Sequence, residues 1–131
     1  PLLTNPLTKN RTTAEQAQDA KTVNRINLHT LVDYRKILFL DADLFLLHED
    51  HPPDELLDQY SGYPQPVSHQ MDGIVHGGLL LTRPSHDIFW DMVTTLNARD
   101  FLHSGFPNPM ERLWNTFYDS SHNKDGWEVL P

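Results

Sequence analysis

Apolar and polar positions alternate between two periods along this chain. Ile37-Leu38-Phe39-Leu40 is a continuous apolar run between Arg35-Lys36 and Asp41. Such a run predicts a strand buried on both faces, as in a parallel sheet. Leu44-Phe45-Leu46-Leu47 is a second short run. Gly77-Gly78-Leu79-Leu80-Leu81-Thr82 reads as glycine followed by a strand. Helical spacing appears elsewhere. Thr13-Ala14-Glu15-Gln16 fits a capping box, and Val23, Ile26 and Leu31 form a thin apolar stripe, so a helix is expected from near Ala14 to about Thr30. Pro52-Pro53 leads into a helical turn at Asp54–Asp58. Pro84-Ser85 opens a helix that places Ile88, Phe89, Met92, Val93 and Leu96 on one face. A further amphipathic helix is expected at Pro109–Tyr118, with Met110, Leu113, Trp114 and Phe117 on its stripe. Residues 60–76 contain Gly62, Pro64, Pro66 and Gly73 and read as a loop. Strands alternating with helices predict an α/β fold.

Composition narrows the function. The 131 residues suit one domain. A formal net charge of −8 repels phosphate backbones, which argues against nucleic-acid binding, although a bound cation reverses the local field for a phosphorylated substrate. No cysteine is present, so disulfides and thiolate zinc sites are excluded and the compartment is not legible from redox usage. No apolar stretch is long enough to span a bilayer, and no targeting signal is visible. The chain starts at Pro1 and ends at Leu130-Pro131, and is expected to be a fragment: a lead-in over 1–19 and the central part of a catalytic domain over 20–131.

The chemistry concentrates at Asp41-Ala42-Asp43, on the carboxyl end of the first strand. Ligands of open α/β sheets bind beyond the carboxyl ends of strands. Two carboxylates one residue apart repel each other, and a hard divalent ion such as Mn²⁺ or Mg²⁺ offsets that and bridges to a diphosphate. The other reading is a plain turn after a strand, which Asp also favours.

The stretch from Leu31-Val32-Asp33-Tyr34-Arg35-Lys36 through the apolar run to Asp41-Ala42-Asp43 resembles the signature of glycosyltransferase family 8, the glycogenin-like and galactinol-synthase-like sugar transferases. The turn at Pro53-Asp54-Glu55-Leu56 also matches its pattern. His76-Gly77-Gly78 through Pro84-Ser85 resembles the family's Asn-Ser-Gly strand and Pro-Ser helix start. Glu111-Arg112-Leu113-Trp114-Asn115 resembles its Asp-Gln-x-x-Leu-Asn element. The resemblance implies a GT-A fold, a Rossmann-like α/β sandwich. It also implies a retaining hexosyltransferase that uses a nucleotide-diphosphate donor, a UDP-sugar in most members, and a divalent metal. Asp41 and Asp43 would hold Mn²⁺ or Mg²⁺, with Asp41 also near the ribose. Gly77 and Gly78 would let backbone lie close to the donor sugar. Glu111 and Arg112 would occupy the catalytic positions, and the acceptor would offer a hydroxyl.

The departures are at the same residues. His76-Gly77-Gly78 stands for Asn-Ser-Gly, which removes a side-chain amide, and Glu111-Arg112 stands for Asp-Gln. The family's uridine-gripping first strands and its later His-bearing metal segment have no counterpart in this sequence. Asp72 is a candidate for contact with donor sugar hydroxyls, against the stronger reading of a solvated loop carboxylate. His76 is a candidate metal ligand or a polar lining residue of the donor site. His48 and His51 flank Glu49-Asp50 and read as a solvated loop. Trp90 and Trp114 are expected in the core, while Trp127 is open to stacking on sugar. Two rivals share these features. A degenerate transferase-like protein would bind without turnover. A phosphatase of the haloacid dehalogenase type also ends a strand in Asp-x-Asp, but wants Thr or Val where Phe45 stands.

Overall fold

The structure, a computed structural model, describes residues 13–14, 23–42, 53–63, 65–71, 74–98, 109–118 and 126–130, with the backbone alone at 70, 71, 74–77 and 109–112. Thr13 and Ala14 are helical. A 3-10 helix spans Asn24–Thr30. Next come β1 (Ile37–Leu40), α1 (Pro53–Gln59), β2 (Val67–Met71) and β3 (Ile74–Thr82). The chain continues with α2 (His86–Ala98), α3 (Pro109–Tyr118) and β4 (Glu128–Val129). The result is a small α/β domain whose sheet has the order β1-β3-β2-β4.

The sheet is mixed, which corrects the expectation of parallel pairing around β1. β1 runs antiparallel to β3, with Ile37 opposite Thr82 and Leu40 opposite Leu79. β2 is antiparallel to β3 and parallel to β4. β1 is also half-buried throughout rather than buried on both faces, because it has β3 on one edge and no strand on the other among the described residues. Its apolar run covers two partly screened faces, with Phe39 packed on the core. The loop expected over 60–76 holds β2 and the first three residues of β3.

The helices follow their patterns more closely. In α2, Phe89, Met92 and Leu96 are buried, and Ile88 and Val93 pack beside them. The Ser85 hydroxyl accepts the Ile88 N–H at 3.4 Å, an N-cap bond that starts α2 after Pro84. α3 has the expected bounds and buries Leu113, Trp114 and Tyr118. The expected helix to Thr30 ends as a 3-10 helix. Val23, Ile26 and His29 are buried three residues apart, the spacing that stacks side chains on one face of a 3-10 helix. Side-chain bonds from Asn27 to the Asn24 carbonyl and from Thr30 to the Asn27 carbonyl favour that tighter winding over the α ladder. Leu31 lies beyond the helix and is exposed. Trp114 is core as expected, whereas Trp90 is 60% exposed and meets the core through an edge contact with Phe89. Trp127 is partly buried against the core.

The core lies where the 3-10 helix, α2, α3 and Leu80 of β3 meet. Leu79 and Leu81 are buried too, and strand alternation puts them on the other face of the sheet.

Candidate functional site around Asp41

Asp41 follows the last residue of β1 and keeps the ladder for one more step. Its N–H donates to the Gly78 carbonyl at 2.8 Å. The register therefore sets the start of the Asp-x-Asp triplet against the Gly77-Gly78 step of β3. These are residues 37 positions apart in sequence, and both were expected to meet a nucleotide-sugar donor.

The Asp41 carboxylate has a cationic partner that sequence reading missed. Arg25, on the 3-10 helix, places one guanidinium nitrogen 2.9 Å from Oδ1 and the other 3.2 Å from Oδ2. This fork-to-fork pairing engages both carboxylate oxygens. The same guanidinium sits over the Phe39 ring, 5.4 Å from its centroid. Both side chains of the pair keep about a quarter of their surface, 27% for Arg25 and 25% for Asp41. The expected repulsion at the triplet is thus offset, at Asp41, by an arginine sixteen residues earlier. No spacing rule connects the two, because the contact depends on how the 3-10 helix docks beside the strand end.

The other candidates divide by position. Gly78 is buried and bonded to Asp41 as described. His76 and Gly77 precede it in β3. Glu111 and Arg112 lie in α3, which packs against β3, so the third block of the resemblance shares that layer with the second. Asp43 and Asp72 lie outside the described residues, as do His48, His51 and the Leu44–Leu47 run. Met71 and Ile74, the strand residues flanking Asp72 and Gly73, pair with each other.

For a divalent cation the donor set fits in part. Asp41 offers hard oxygen ligands at a strand end with some access to solvent, and a cation reaching them must displace Arg25. Among the described residues no group of three or more His, Cys, Asp or Glu side chains could hold a metal ion. No helix among them is long and apolar enough to cross a membrane.

No protein-family model matches the chain, and no curated protein matches it significantly.

Proposed function

We propose that the chain is part of a GT-A-type retaining hexosyltransferase that moves a sugar from a nucleotide-diphosphate donor to an acceptor hydroxyl. The observation that carries this reading is the juxtaposition of Asp41 with Gly78 through the 2.8 Å backbone bond, at the carboxyl end of β1 and midway along β3. Two motifs of the resemblance that are distant in sequence are thereby brought side by side, which supports one shared site. In this proposal Asp41 and Asp43 hold Mn²⁺ or Mg²⁺. Gly77 and Gly78 let the donor sugar approach the backbone, and His76 and Asp72 are assigned to donor binding. Glu111 and Arg112, in α3, are assigned the catalytic positions. The metal, when bound, supplies neutralisation of the departing diphosphate. Until a metal binds, Arg25 holds the Asp41 carboxylate at the strand end, and Phe39 limits where its guanidinium can move.

A second reading has its own support. The same Arg25 pair engages both oxygens that a metal would need. That arrangement suits a degenerate transferase-like protein that binds a partner or glycan without turnover.

One titration separates them: Mn²⁺ with UDP into the purified chain by calorimetry, beside an Asp41→Asn, Asp43→Asn double variant. The transferase reading expects binding by the unmodified chain and its loss in the variant. Absence of binding in both sinks that reading for this chain and leaves the non-catalytic one.

A further inference from the structure

The opposite end of β1 carries a second polar feature. Arg35 and Lys36 precede the strand, and antiparallel pairing of Ile37 with Thr82 brings them beside Arg83. Between them lies a cleft of about 290 Å³ lined by Arg35, Lys36, Ser61, Tyr63 and Arg83. An adjoining hollow of about 300 Å³ shares Tyr63 and Arg83 and continues to Pro84 and Ser85, the N-cap of α2. The cleft is roughly 16 Å from Asp41, five residues of extended chain away.

Its walls are fixed by bonds of their own. Lys36 Nζ donates to the Leu57 carbonyl and, at 2.9 Å, to the Tyr60 carbonyl, which ties the strand start to the end of α1. Two of its three donors are spent this way, and its charge stays at the cleft. Ser61 and Tyr63 form a local turn: the Ser61 hydroxyl donates to the Tyr63 carbonyl at 2.6 Å and accepts the Tyr63 N–H at 3.2 Å. Gly62 between them accepts the Arg83 N–H at 3.1 Å. The Arg83 guanidinium lies over the Tyr63 ring, 5.6 Å from its centroid. Among the described residues no carboxylate pairs with Arg35 or Arg83.

Three cations, with no acid among the described lining residues, stand out on a chain of net charge −8. The positive end of α2 opens onto the same region, and a helix start adds to the attraction for anions. We propose that this cleft binds a tetrahedral oxyanion of the phosphate type, with Arg83 and Arg35 as the charged donors and Tyr63 as the platform that orients Arg83. A guanidinium fork matches such an anion in geometry as well as charge. The anion is either free phosphate or the phosphate of an organic monoester, whose remaining body would lie along Tyr63 and Pro84. This site is separate from Asp41 and does not depend on the transferase reading.

The test is titration of inorganic phosphate, then glucose 1-phosphate, into the full 131-residue chain at low ionic strength, followed by NMR. Unmodified chain is expected to bind. Arg83→Gln and Arg35→Gln are each expected to weaken binding by about tenfold or more, as loss of a charged hydrogen bond does. Both side chains are exposed, so thermal midpoints should stay unchanged, and Asp41→Asn should leave phosphate binding intact. Tighter binding of the ester than of free phosphate identifies an organic monoester as the ligand, and equal binding identifies the free ion. Absence of phosphate-type binding in the unmodified chain, or binding by both arginine variants as tight as that of the unmodified chain, overturns the proposal.

Discussion

Two residues decide most of the local behaviour near the sites, and neither owes its role to a motif. Arg25 competes with any cation for Asp41, since its guanidinium engages both carboxylate oxygens. On the transferase reading, Arg25→Gln should therefore tighten Mn²⁺ binding by up to about fivefold, the scale of a partly exposed ion pair. Calorimetry on the variant checks this, and weaker or unchanged Mn²⁺ affinity would count against Asp41 as a ligand. Gly62 matters through its backbone. Its φ of +66° suits glycine, and a Cβ there would lie 2.8 Å from Leu81 Cδ2 and 3.1 Å from the Thr82 backbone. Gly62→Ala should cost roughly 1–3 kcal/mol, combining backbone strain with a clash that the Leu81 side chain can relieve only in part. Urea unfolding measures that cost, and a variant as stable as the parent would show that the turn adapts. The sequence shows a glycine at 62 but not that β3 passes beneath it.

At the scale of elements, the α-helices were the legible part. Ser85 begins α2 because its hydroxyl and carbonyl take the N–H groups of Ile88 and Phe89, at 3.4 and 3.0 Å. Ser85→Ala should cost about 0.5–1 kcal/mol, the lower part of the N-cap range because the hydroxyl bond is long. A denaturation midpoint equal to the parent's would mean that bond contributes nothing. α2 and α3 were readable because their apolar stripes face one core, so period and burial coincide. β2 was not, because its burial contradicts its composition. Ser68 is fully buried in mid-strand and satisfied by donating to the Leu79 carbonyl at 2.7 Å. A polar residue placed there mimics a loop, and Pro64, Pro66 and Gly73 around it strengthen that impression. Asp72-Gly73 between Met71 and Ile74 was an overlooked signal, since Asp-Gly favours short hairpin links. β1 was recognised as a strand at its true bounds, but its partner was not, because a four-residue apolar run does not encode strand direction. The candidate site was legible to the same degree. Asp41 and Gly78 stood out as separate motifs and the register joins them, whereas the Arg25 pair arises only from docking of the 3-10 helix.

At the scale of the whole molecule, the core carries a titratable group that links folding to pH. His29 is 1% exposed, in the cluster of the 3-10 helix, and its Nδ1 has no hydrogen-bond partner among the described residues. Burial lowers its pKa from 6.5 to about 4, because the imidazolium form loses its hydration there. The unfolded chain takes up the proton near pH 6.5, while the folded chain resists until near pH 4. Stability linked to neutral His29 is therefore fully present above pH 6.5. It declines as pH falls through that value and levels off below about pH 4. The loss across that window is about 3 kcal/mol, on the scale of 1.36 kcal/mol per pKa unit. The net charge of −8 acts in the opposite sense, because protonating carboxylates relieves mutual repulsion, but most of that effect falls below pH 5. The interval from pH 6.5 down to 5 therefore avoids most carboxylate titration, and comparison with a His29 variant separates this residue from the other seven histidines. His29→Leu fills a similar volume without a group to protonate, and its unfolding free energy should lose the decline that the parent shows between those values. Urea denaturation of both proteins at pH 7 and pH 5 makes the comparison. The same decline in both would assign the pH dependence to other groups, whereas a flat His29→Leu profile would make this buried imidazole the chain's main acid sensitivity in that range.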